Sequence, residues 1–139
     1  MKLIDLLNSQ NYLYKATPLH AVDGDTVDFM IHVDCGFRIY VDHKIRVRLR
    51  DIDTPEMFGR ASAAEKAHGR AARAEALELL GLISATGKPI AVQPVDVVIQ
   101  TFRDRTGKYG RYIARVELPD GRFLSGALEE AGMKKKDQY

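Results

Sequence analysis

The sequence predicts an α+β domain built on a five-stranded Greek-key β-barrel, with one long helix between the third and fourth strands and a short C-terminal helix. Three observations predict this fold. The length of 139 residues, of which 45% are hydrophobic and 29% charged, suits one packed domain. Three strand-like segments follow one another through short turns. An alanine-rich helical segment then separates them from two further strand-like segments and a second helical one.

The first two strands are predicted to form a hairpin at the start of the barrel. Residues 1–9 are interpreted as a lead-in segment or an unsettled short helix, and residues 12–22 as the first strand. The dipeptide of Asp23 and Gly24 is a strong hairpin signal, because glycine accepts a positive φ at no steric cost. Residues 26–33 then form the second strand.

The third strand carries the clearest periodic pattern. Cys35 and Gly36 turn the chain, and residues 38–49 alternate charged with apolar side chains. This period of two predicts a long strand with one apolar face, long enough to contain a bulge. A loop is predicted from Asp53 onward, because Pro55 removes a backbone donor and restricts the residue before it.

The long helix is predicted over residues 61–83, where alanine, glutamate, lysine, arginine and leucine dominate. Gly69 weakens the helical pattern, so a start near Arg70 is the alternative. The apolar residues that recur at helical spacing in this segment are Ala64, Ala67, Ala71, Ala74, Leu77 and Leu80.

Two more strands and a short helix complete the predicted barrel. Residues 90–102 are rich in β-branched side chains and predict the fourth strand, and residues 109–118 predict the fifth. Residues 125–131 predict the short helix. The barrel domain therefore spans residues 10–133, and the basic tail 134–139 is expected to be mobile. This element order is that of an OB-fold type of barrel, although periodicity alone permits another α+β arrangement.

Composition argues against several classes of protein. No uncharged apolar run approaches the roughly 18 residues of a membrane-spanning helix, so no membrane association is expected. The N-terminal residues lack the continuous apolar stretch of a secretory signal. The single cysteine, Cys35, cannot form an internal disulfide, and the four histidines form no HxxxH pair, so structural zinc is not expected.

Two basic stretches stand out, residues 38–50 and residues 103–115. Each contains five lysine or arginine residues and one acid. Arginine-rich clusters suit phosphate partners, because a guanidinium group donates two parallel hydrogen bonds. Alternating arginines are also typical of the solvated face of a half-buried sheet, so charge alone leaves both interpretations open.

Five acidic residues fall where predicted strands end. Asp23 and Asp25 lie at the first hairpin turn, and Asp51, Asp53 and Glu56 lie at the exit of the third strand. Converging carboxylates repel one another unless they bind a hard cation with oxygen ligands. The aspartates of the turn are alternatively turn residues that satisfy local hydrogen bonds. Their combination with nearby arginines favours a divalent cation site.

The arginines complete a predicted phosphate site. Arg46, Arg48 and Arg50 share one face of the third strand. Arg48 and Arg111 are predicted to grip a phosphate, with a base or sugar against Tyr109. A metal, two arginines and a loop carboxylate together describe a phosphodiester-cleaving site. Cations stabilise the charge that accumulates on the phosphorane, and a carboxylate takes a proton from the attacking water.

The chain resembles the staphylococcal nuclease family, the thermonucleases, over roughly residues 12–133. The resemblance rests on motifs that occur in the family's order, each weak alone and specific in combination. They are Asp23-Gly24-Asp25-Thr26-Val27, Arg48-Leu49, Asp53-Thr54-Pro55-Glu56, Lys108-Tyr109-Gly110-Arg111 and the helix from Ala127-Leu128 to Gly132.

The resemblance implies a calcium site and a general base. Asp25 and Asp53 would bind Ca²⁺ through their carboxylates, and the main-chain carbonyl of Thr54 and water would complete the coordination shell. Glu56 would be the general base or would orient the attacking water.

The resemblance also implies the substrate and its contacts. Arg48 and Arg111 would hold the scissile phosphate, and Lys108 and Tyr109 would contact another phosphate of the nucleotide. The expected function is that of a calcium-dependent, sugar-non-specific endonuclease that hydrolyses DNA and RNA to 3′-phosphate products. The protein is expected to act as a monomer.

The chain departs from the family pattern at two places. The hairpin between Asp25 and Arg48 is longer than in the type member, and the chain ends at Tyr139 without the type member's third helix. With no signal peptide in the sequence, an intracellular or phage-encoded protein is expected, or a secreted one whose signal has been removed. The alternatives are a non-catalytic nucleic-acid-binding or protein-interaction module of the same fold, and a structural protein whose charges form ion-pair networks.

Overall fold

Five strands of the described chain close into a β-barrel. The structure is a computed structural model that describes residues 1–8, 12–83, 93–106 and 111–139, without the side chains of 103–106. The elements in chain order are α1 (Leu3–Asn8), β1 (Tyr12–Asp23), β2 (Thr26–Asp34), β3 (Tyr40–Leu49), α2 (Ala63–Leu79), β4 (Val97–Thr106), β5 (Tyr112–Glu117) and α3 (Leu124–Glu130).

The strand order around the barrel is β1-β2-β3-β5-β4, and β1 pairs with β4 to close it. β3 and β5 run parallel, whereas the other neighbouring pairs are antiparallel. The long helix α2 connects β3 to β4, and α3 follows β5. The predicted fold class is confirmed: an α+β, OB-like barrel with a long helix after the third strand and a short C-terminal helix.

Alternation places one face of each strand in the core. In β3, Ile45, Val47 and Leu49 are buried, whereas Arg46 and Arg48 lie on the opposite face, as predicted. Each fully buried large apolar side chain contributes roughly 1.5–3 kcal/mol. The largest side chains in the interior are Phe29, Leu49, Leu80, Ile99, Leu124 and Leu128.

β3 is more regular than predicted and begins later. It starts at Tyr40, because Gly36 and Arg38 adopt φ values of 84° and 65° in the loop after β2. Its pairing with β2 keeps one register along the whole strand, so the bulge that the sequence allowed is not present there. Register shifts lie instead in the pairing of β1 with β2 and in that of β4 with β5.

The start of α2 agrees with the first of the two predictions. Ser62 caps the helix by accepting the backbone N–H of Glu65 at 3.1 Å, and Gly69 lies inside the helix. The alternative start near Arg70 is wrong. The helix ends before the predicted boundary at residue 83, because Gly81, with a φ of 71°, turns the chain.

The buried face of α2 is rotated from the predicted apolar face. The exposed positions include four predicted members of that face, Ala64, Ala67, Ala71 and Ala74. The buried residues of the helix and its C-cap are Gly69, Ala72, Ala76, Leu77 and Leu80. Alanine on every side gives little apolar contrast between helix faces, so the pattern did not determine the rotation.

The fourth strand ends later than predicted, at Thr106 rather than at residue 102, and the fifth ends earlier, at Glu117. The predicted start of the fourth strand, residues 90–92, lies outside the described residues, and residues 93–96 are not strand. Val95 instead donates its N–H to the carbonyl of Leu80 at 3.0 Å, which ties this segment to the end of α2. β5 begins at Tyr112, and the earlier predicted residues 109–110 lie outside the described residues.

The C-terminal tail, which the sequence predicts to be mobile, contacts the domain in this structure. Lys135 donates its backbone N–H to the carbonyl of Asp53 at 2.8 Å. The hydroxyl of Tyr139 lies 2.7 Å from Nδ1 of His68, and Nε2 of the same ring lies 2.8 Å from the carbonyl oxygen of Gly132. These contacts fasten the tail to α2 and to the loop after β3.

The lead-in contains the short helix α1, whose residues are all exposed. Cys35 is a free, exposed thiol. Across residues 1–8, 12–83, 93–106 and 111–139, no helix is long and apolar enough to cross a membrane.

Candidate active site

One cavity of about 560 Å³ gathers the predicted site residues where the first hairpin turn meets the exit of β3. Its lining residues are Val22, Asp23, Asp25, Thr26, Arg46, Arg48, Asp53, Thr54, Pro55, Glu56, Phe58 and Arg111. The predicted metal ligands, general base and phosphate-binding arginines are therefore neighbours. The two predicted nucleotide contacts, Lys108 and Tyr109, lie outside the described residues.

A second cavity, of about 300 Å³, does not suit the same chemistry. The described residues that line it are Tyr12, Tyr14, Ile31, Ile45, Thr101, Phe102 and Tyr112. These side chains are aromatic or apolar apart from their hydroxyl groups, and they supply neither a carboxylate nor a guanidinium for phosphate chemistry.

Glycine in the first hairpin turn is explained by close packing. The turn consists of Gly24 and Asp25, and Gly24 does not adopt a positive φ, so the conformational reason predicted for it is wrong. A Cβ there would lie 2.8 Å from Cβ of Ala72 and 2.9 Å from Cγ2 of Thr54. The absent side chain lets the turn pack against α2 and the loop after β3, which brings Asp25 into the cavity.

Asp25 is buried and held by hydrogen bonds. Its Oδ2 accepts the backbone N–H of Thr54 at 3.0 Å and lies 3.5 Å from Nη2 of Arg48, while its Oδ1 accepts the hydroxyl of Thr26 at 3.2 Å. Burial favours the neutral form, but hydrogen bonds from Asp23 and Thr54 and the charge of Arg48 outweigh it and lower the pKa of Asp25. This carboxylate is therefore ionised at neutral pH.

Asp23 shows the opposite behaviour. Burial, followed by hydrogen bonding to Asp25 and repulsion from its charge, raises the pKa of Asp23 to about 6. Its Oδ1 also accepts the backbone N–H of Asp25 at 3.1 Å. Negative charge is thus crowded at this side of the cavity.

Arg48 joins the acids to the loop after β3. Its Nη1 donates to the carbonyl oxygens of Leu49 and Ile52, the latter at 2.6 Å. Its Nη2 donates to Oδ1 of Asp53 at 3.2 Å and lies 3.5 Å from Oδ2 of Asp25. Arg48 therefore shapes the loop in addition to its predicted contact with phosphate.

Thr26 connects the second arginine to the acids. Nη1 of Arg111 donates to the hydroxyl oxygen of Thr26 at 3.1 Å, and that hydroxyl donates to Asp25. Thr26 faces Arg48 across β2 and β3, and Arg48 is opposite Ile113 across β3 and β5. The barrel register therefore places both arginines beside the acid cluster.

The loop after β3 exposes its acids and buries several of the residues beside them. Ile52, Thr54 and Pro55 are buried, whereas 66% of the Asp53 side chain is exposed and Glu56 is exposed. This alternation directs the carboxylates of Asp53 and Glu56 into the open cavity.

Helix α2 supports the backbone of this loop. Glu56 donates its N–H to Oε2 of Glu65 at 2.9 Å. One helical turn further on, a Cβ at Gly69 would lie 2.7 Å from the carbonyl oxygens of both Pro55 and Glu56. Gly69 is therefore required for contact between the helix and the loop.

Arg46 lines the cavity but is already paired with an acid from β2. Its Nε and Nη2 donate to the two carboxylate oxygens of Asp28 at 2.7 and 3.1 Å, and only 5% of the Asp28 side chain is exposed. Hydrogen bonding to Arg46 lowers the pKa of Asp28. The predicted cationic face of the third strand is thus partly neutralised.

This ion pair predicts a pH-dependent stability. The pair stabilises the folded state above the ordinary Asp28 pKa of 3.8, and its contribution is lost as the pH falls through the lowered folded pKa. Because Arg46 is half-exposed, we expect Arg46→Met to lower the free energy of unfolding at pH 7 by about 1 kcal/mol. Urea unfolding at pH 7 and below pH 3 checks this, and an equal loss at both pH values would contradict it.

The cavity is lined by more carboxyl groups than guanidinium groups. Four carboxyl groups line it against three arginines, and one of these, Arg46, is committed to Asp28. Nη2 of Arg48 lies within 3.5 Å of oxygens from both Asp25 and Asp53, so one positive charge is shared by the two carboxylates. Carboxylate and carbonyl oxygens are the ligands that calcium prefers.

The side chains of the cavity offer few ligands to a metal ion. Within the residues that the structure describes, no group of three or more histidine, cysteine, aspartate or glutamate side chains is arranged to hold a metal ion. A cation in this cavity would therefore depend on two carboxylates, the Thr54 carbonyl and water.

Sequence reasoning missed three residues that build the site, namely Thr26, Glu65 and Gly69. Thr26 lies in the hairpin motif, but its bridging role depends on the register of three strands. Glu65 follows Ser62 at capping-box spacing, a pattern that predicts a carboxylate returning to the start of its own helix. In the structure this carboxylate accepts the N–H of Glu56 instead.

The fold and the cavity define a class: an OB-like β-barrel protein with a mixed pocket of acids and arginines at the exit of β3. A scan against protein-family models finds no match to the chain, and a search of curated proteins finds none either.

Proposed function

We propose that the protein is a calcium-dependent endonuclease of the staphylococcal nuclease type, which hydrolyses DNA and RNA to 3′-phosphate products. The observation that carries the proposal is the single cavity that contains Asp25, Arg48, Asp53, Glu56 and Arg111. Asp25 and Arg111 are distant in sequence from the segment 48–56 that contains the other three, so local sequence does not by itself bring all five together. Their chemistry matches the parts that phosphodiester hydrolysis requires.

The two arginines supply positive charge for the phosphate. A guanidinium group donates paired hydrogen bonds to phosphate oxygens, and Arg48 and Arg111 both line the cavity. The negative charge on those oxygens increases as water attacks phosphorus, so the arginines bind the transition state more strongly than the substrate.

Glu56 is the residue that we assign as the general base. Its side chain is exposed in the cavity, and its backbone is anchored to α2 through Glu65. The carboxylate takes a proton from the attacking water as the new P–O bond forms. The bond from phosphorus to the 5′ oxygen breaks, and that oxygen takes a proton from solvent water and leaves as a 5′-hydroxyl. The phosphate stays on the 3′ oxygen of the other product.

Calcium would be held by the carboxylates of Asp25 and Asp53 and by the carbonyl of Thr54. When bound, it adds positive charge beside the phosphate oxygens and so lowers the barrier to hydrolysis. The excess of carboxyl groups in the cavity supports a cation at this place.

Digestion of plasmid DNA and of single-stranded RNA by the purified chain tests the proposal. We expect cleavage in millimolar calcium, no cleavage in a calcium chelator, and recovery when calcium is restored in excess. The DNA fragments should prime polymerase extension only after phosphatase treatment, because a 3′-phosphate blocks extension. Binding without cleavage in calcium would contradict the proposal and favour the alternative of a non-catalytic nucleic-acid-binding module.

A further inference from the structure

The loop that carries Asp53 and Glu56 is anchored at both ends from outside the cavity. At one end, Lys135 of the C-terminal tail donates its backbone N–H to the carbonyl of Asp53 at 2.8 Å. At the other end, Glu56 donates its N–H to Oε2 of Glu65 at 2.9 Å. The tail and α2 therefore each anchor the loop through its backbone.

The two anchoring residues also contact each other. Nζ of Lys135 lies 3.6 Å from Oε2 of Glu65, the same oxygen that accepts the Glu56 N–H. Only 13% of the Glu65 side chain is exposed, and its position on α2 is fixed by the Ser62 cap. A charged acceptor makes a stronger hydrogen bond than a neutral one, and the ammonium group of Lys135 lies beside this acceptor.

We propose that Glu65 is a positioning residue for Glu56, and that Lys135 orients Glu65 in this role. The Glu65 carboxylate holds the Glu56 backbone so that the Glu56 side chain stays in the cavity, and the tail secures the Asp53 end of the same loop. The inference rests on the proposed role of Glu56 as general base. Neither positioning residue lines the cavity, so their effect passes through the loop.

The close contact between Gly69 and the loop restricts the position of the Glu56 backbone further. The carbonyl oxygens of Pro55 and Glu56 approach Gly69 within the space that a Cβ would occupy, one helical turn beyond Glu65. The Glu56 peptide is therefore held by a hydrogen bond at its N–H and by packing at its carbonyl. A misplacement of about 1 Å in such a site can lower a rate by about 100-fold.

Cleavage kinetics of Glu65→Ala provide the first test. We expect kcat to fall by about 10- to 100-fold with KM changed by less than about threefold, because the substrate contacts stay in place. Glu65→Gln should recover most of the rate, since its amide oxygen still accepts the Glu56 N–H. Glu78→Ala, at an exposed position of the same helix, is the matched control and should cleave like the wild type.

A double-mutant cycle separates positioning from general stability. In a Glu56→Gln background, adding Glu65→Ala should lower the remaining rate by less than about twofold, because no base is left to position. Lys135→Met should lower kcat by a few-fold, whereas Lys134→Met at the exposed neighbouring position should not. Equal losses from Glu65→Ala with and without the Glu56 carboxylate would overturn the proposal.

Amide hydrogen exchange tests the anchor without any reference to activity. The Glu56 amide should exchange at least about tenfold faster in Glu65→Ala than in the wild type, with slow exchange restored in Glu65→Gln. An unchanged Glu56 exchange rate would overturn the anchoring itself. If the wild type fails to cleave nucleic acid while the exchange result holds, the proposed function is wrong and the loop anchor stands.

Discussion

Replacing Glu56 by glutamine is expected to lower the rate of DNA cleavage by about 10²- to 10⁴-fold, the range that a positioned general base contributes. Glutamine keeps the shape of the side chain but accepts no proton at neutral pH. The backbone N–H that binds Glu65 at 2.9 Å is unaffected by the substitution, so the loop should keep its position. Affinity for DNA should stay within a few-fold of the wild type, because a base that acts in the transition state adds little to substrate binding.

Single-turnover cleavage in calcium, together with fluorescence anisotropy of labelled DNA, measures the two effects separately. Glu78→Gln is the matched control, since it makes the same chemical change at an exposed position of α2. If Glu56→Gln and the wild type cleave DNA at equal rates, Glu56 is not the base. If affinity falls in parallel with the rate, Glu56 has a binding role instead.

Replacing Gly69 by alanine is expected to lower the free energy of unfolding by about 2 kcal/mol. Alanine favours a helix over glycine by about 1 kcal/mol, so propensity alone predicts the opposite sign. The new Cβ would lie 2.7 Å from the carbonyl oxygens of Pro55 and Glu56, and these backbone atoms cannot yield without moving the loop. Cleavage should therefore fall as well, because the Glu56 carboxylate would move with its backbone.

The same substitution in α3 is the matched control. A Cβ at Gly126 would meet nothing within 4 Å, so Gly126→Ala should raise the free energy of unfolding by up to about 1 kcal/mol. Urea unfolding of both variants measures the contrast. Stabilisation by Gly69→Ala would show that the loop adapts freely and that its contact with α2 does not fix it.

The barrel could be predicted because its signals are local. Alternating Ile45, Val47 and Leu49 required one buried face in β3, and the short turn between the first two strand-like segments favoured their antiparallel pairing. Each signal depends on residues close in sequence, where the backbone period itself decides which side chains share a face. The same logic placed Arg48 outside the core.

Several residues of the site could be predicted from the sequence, but the hydrogen bonds and ion pairs between them could not. The motifs identified Asp25, Arg48 and Asp53, yet the carbonyl contacts that make Arg48 part of the loop were not foreseen. Nor was the pairing of Arg46 with Asp28, because an acid on a neighbouring strand is matched to an arginine only once the register is set.

The amino-acid sequence by itself determined the apolar face of β3, the order of the elements along the chain and those cavity residues that its motifs contain. The rotation of α2 and the place of the C-terminal tail were decided by tertiary packing alone. The physical reason is the difference in hydrophobicity between the faces of each element. β3 has charged residues on one face and apolar residues on the other, whereas α2 has alanine on every side. At Gly24 and Gly69, glycine is required because a Cβ would lie within 3 Å of atoms that are distant in sequence. Only the folded structure brings those atoms close.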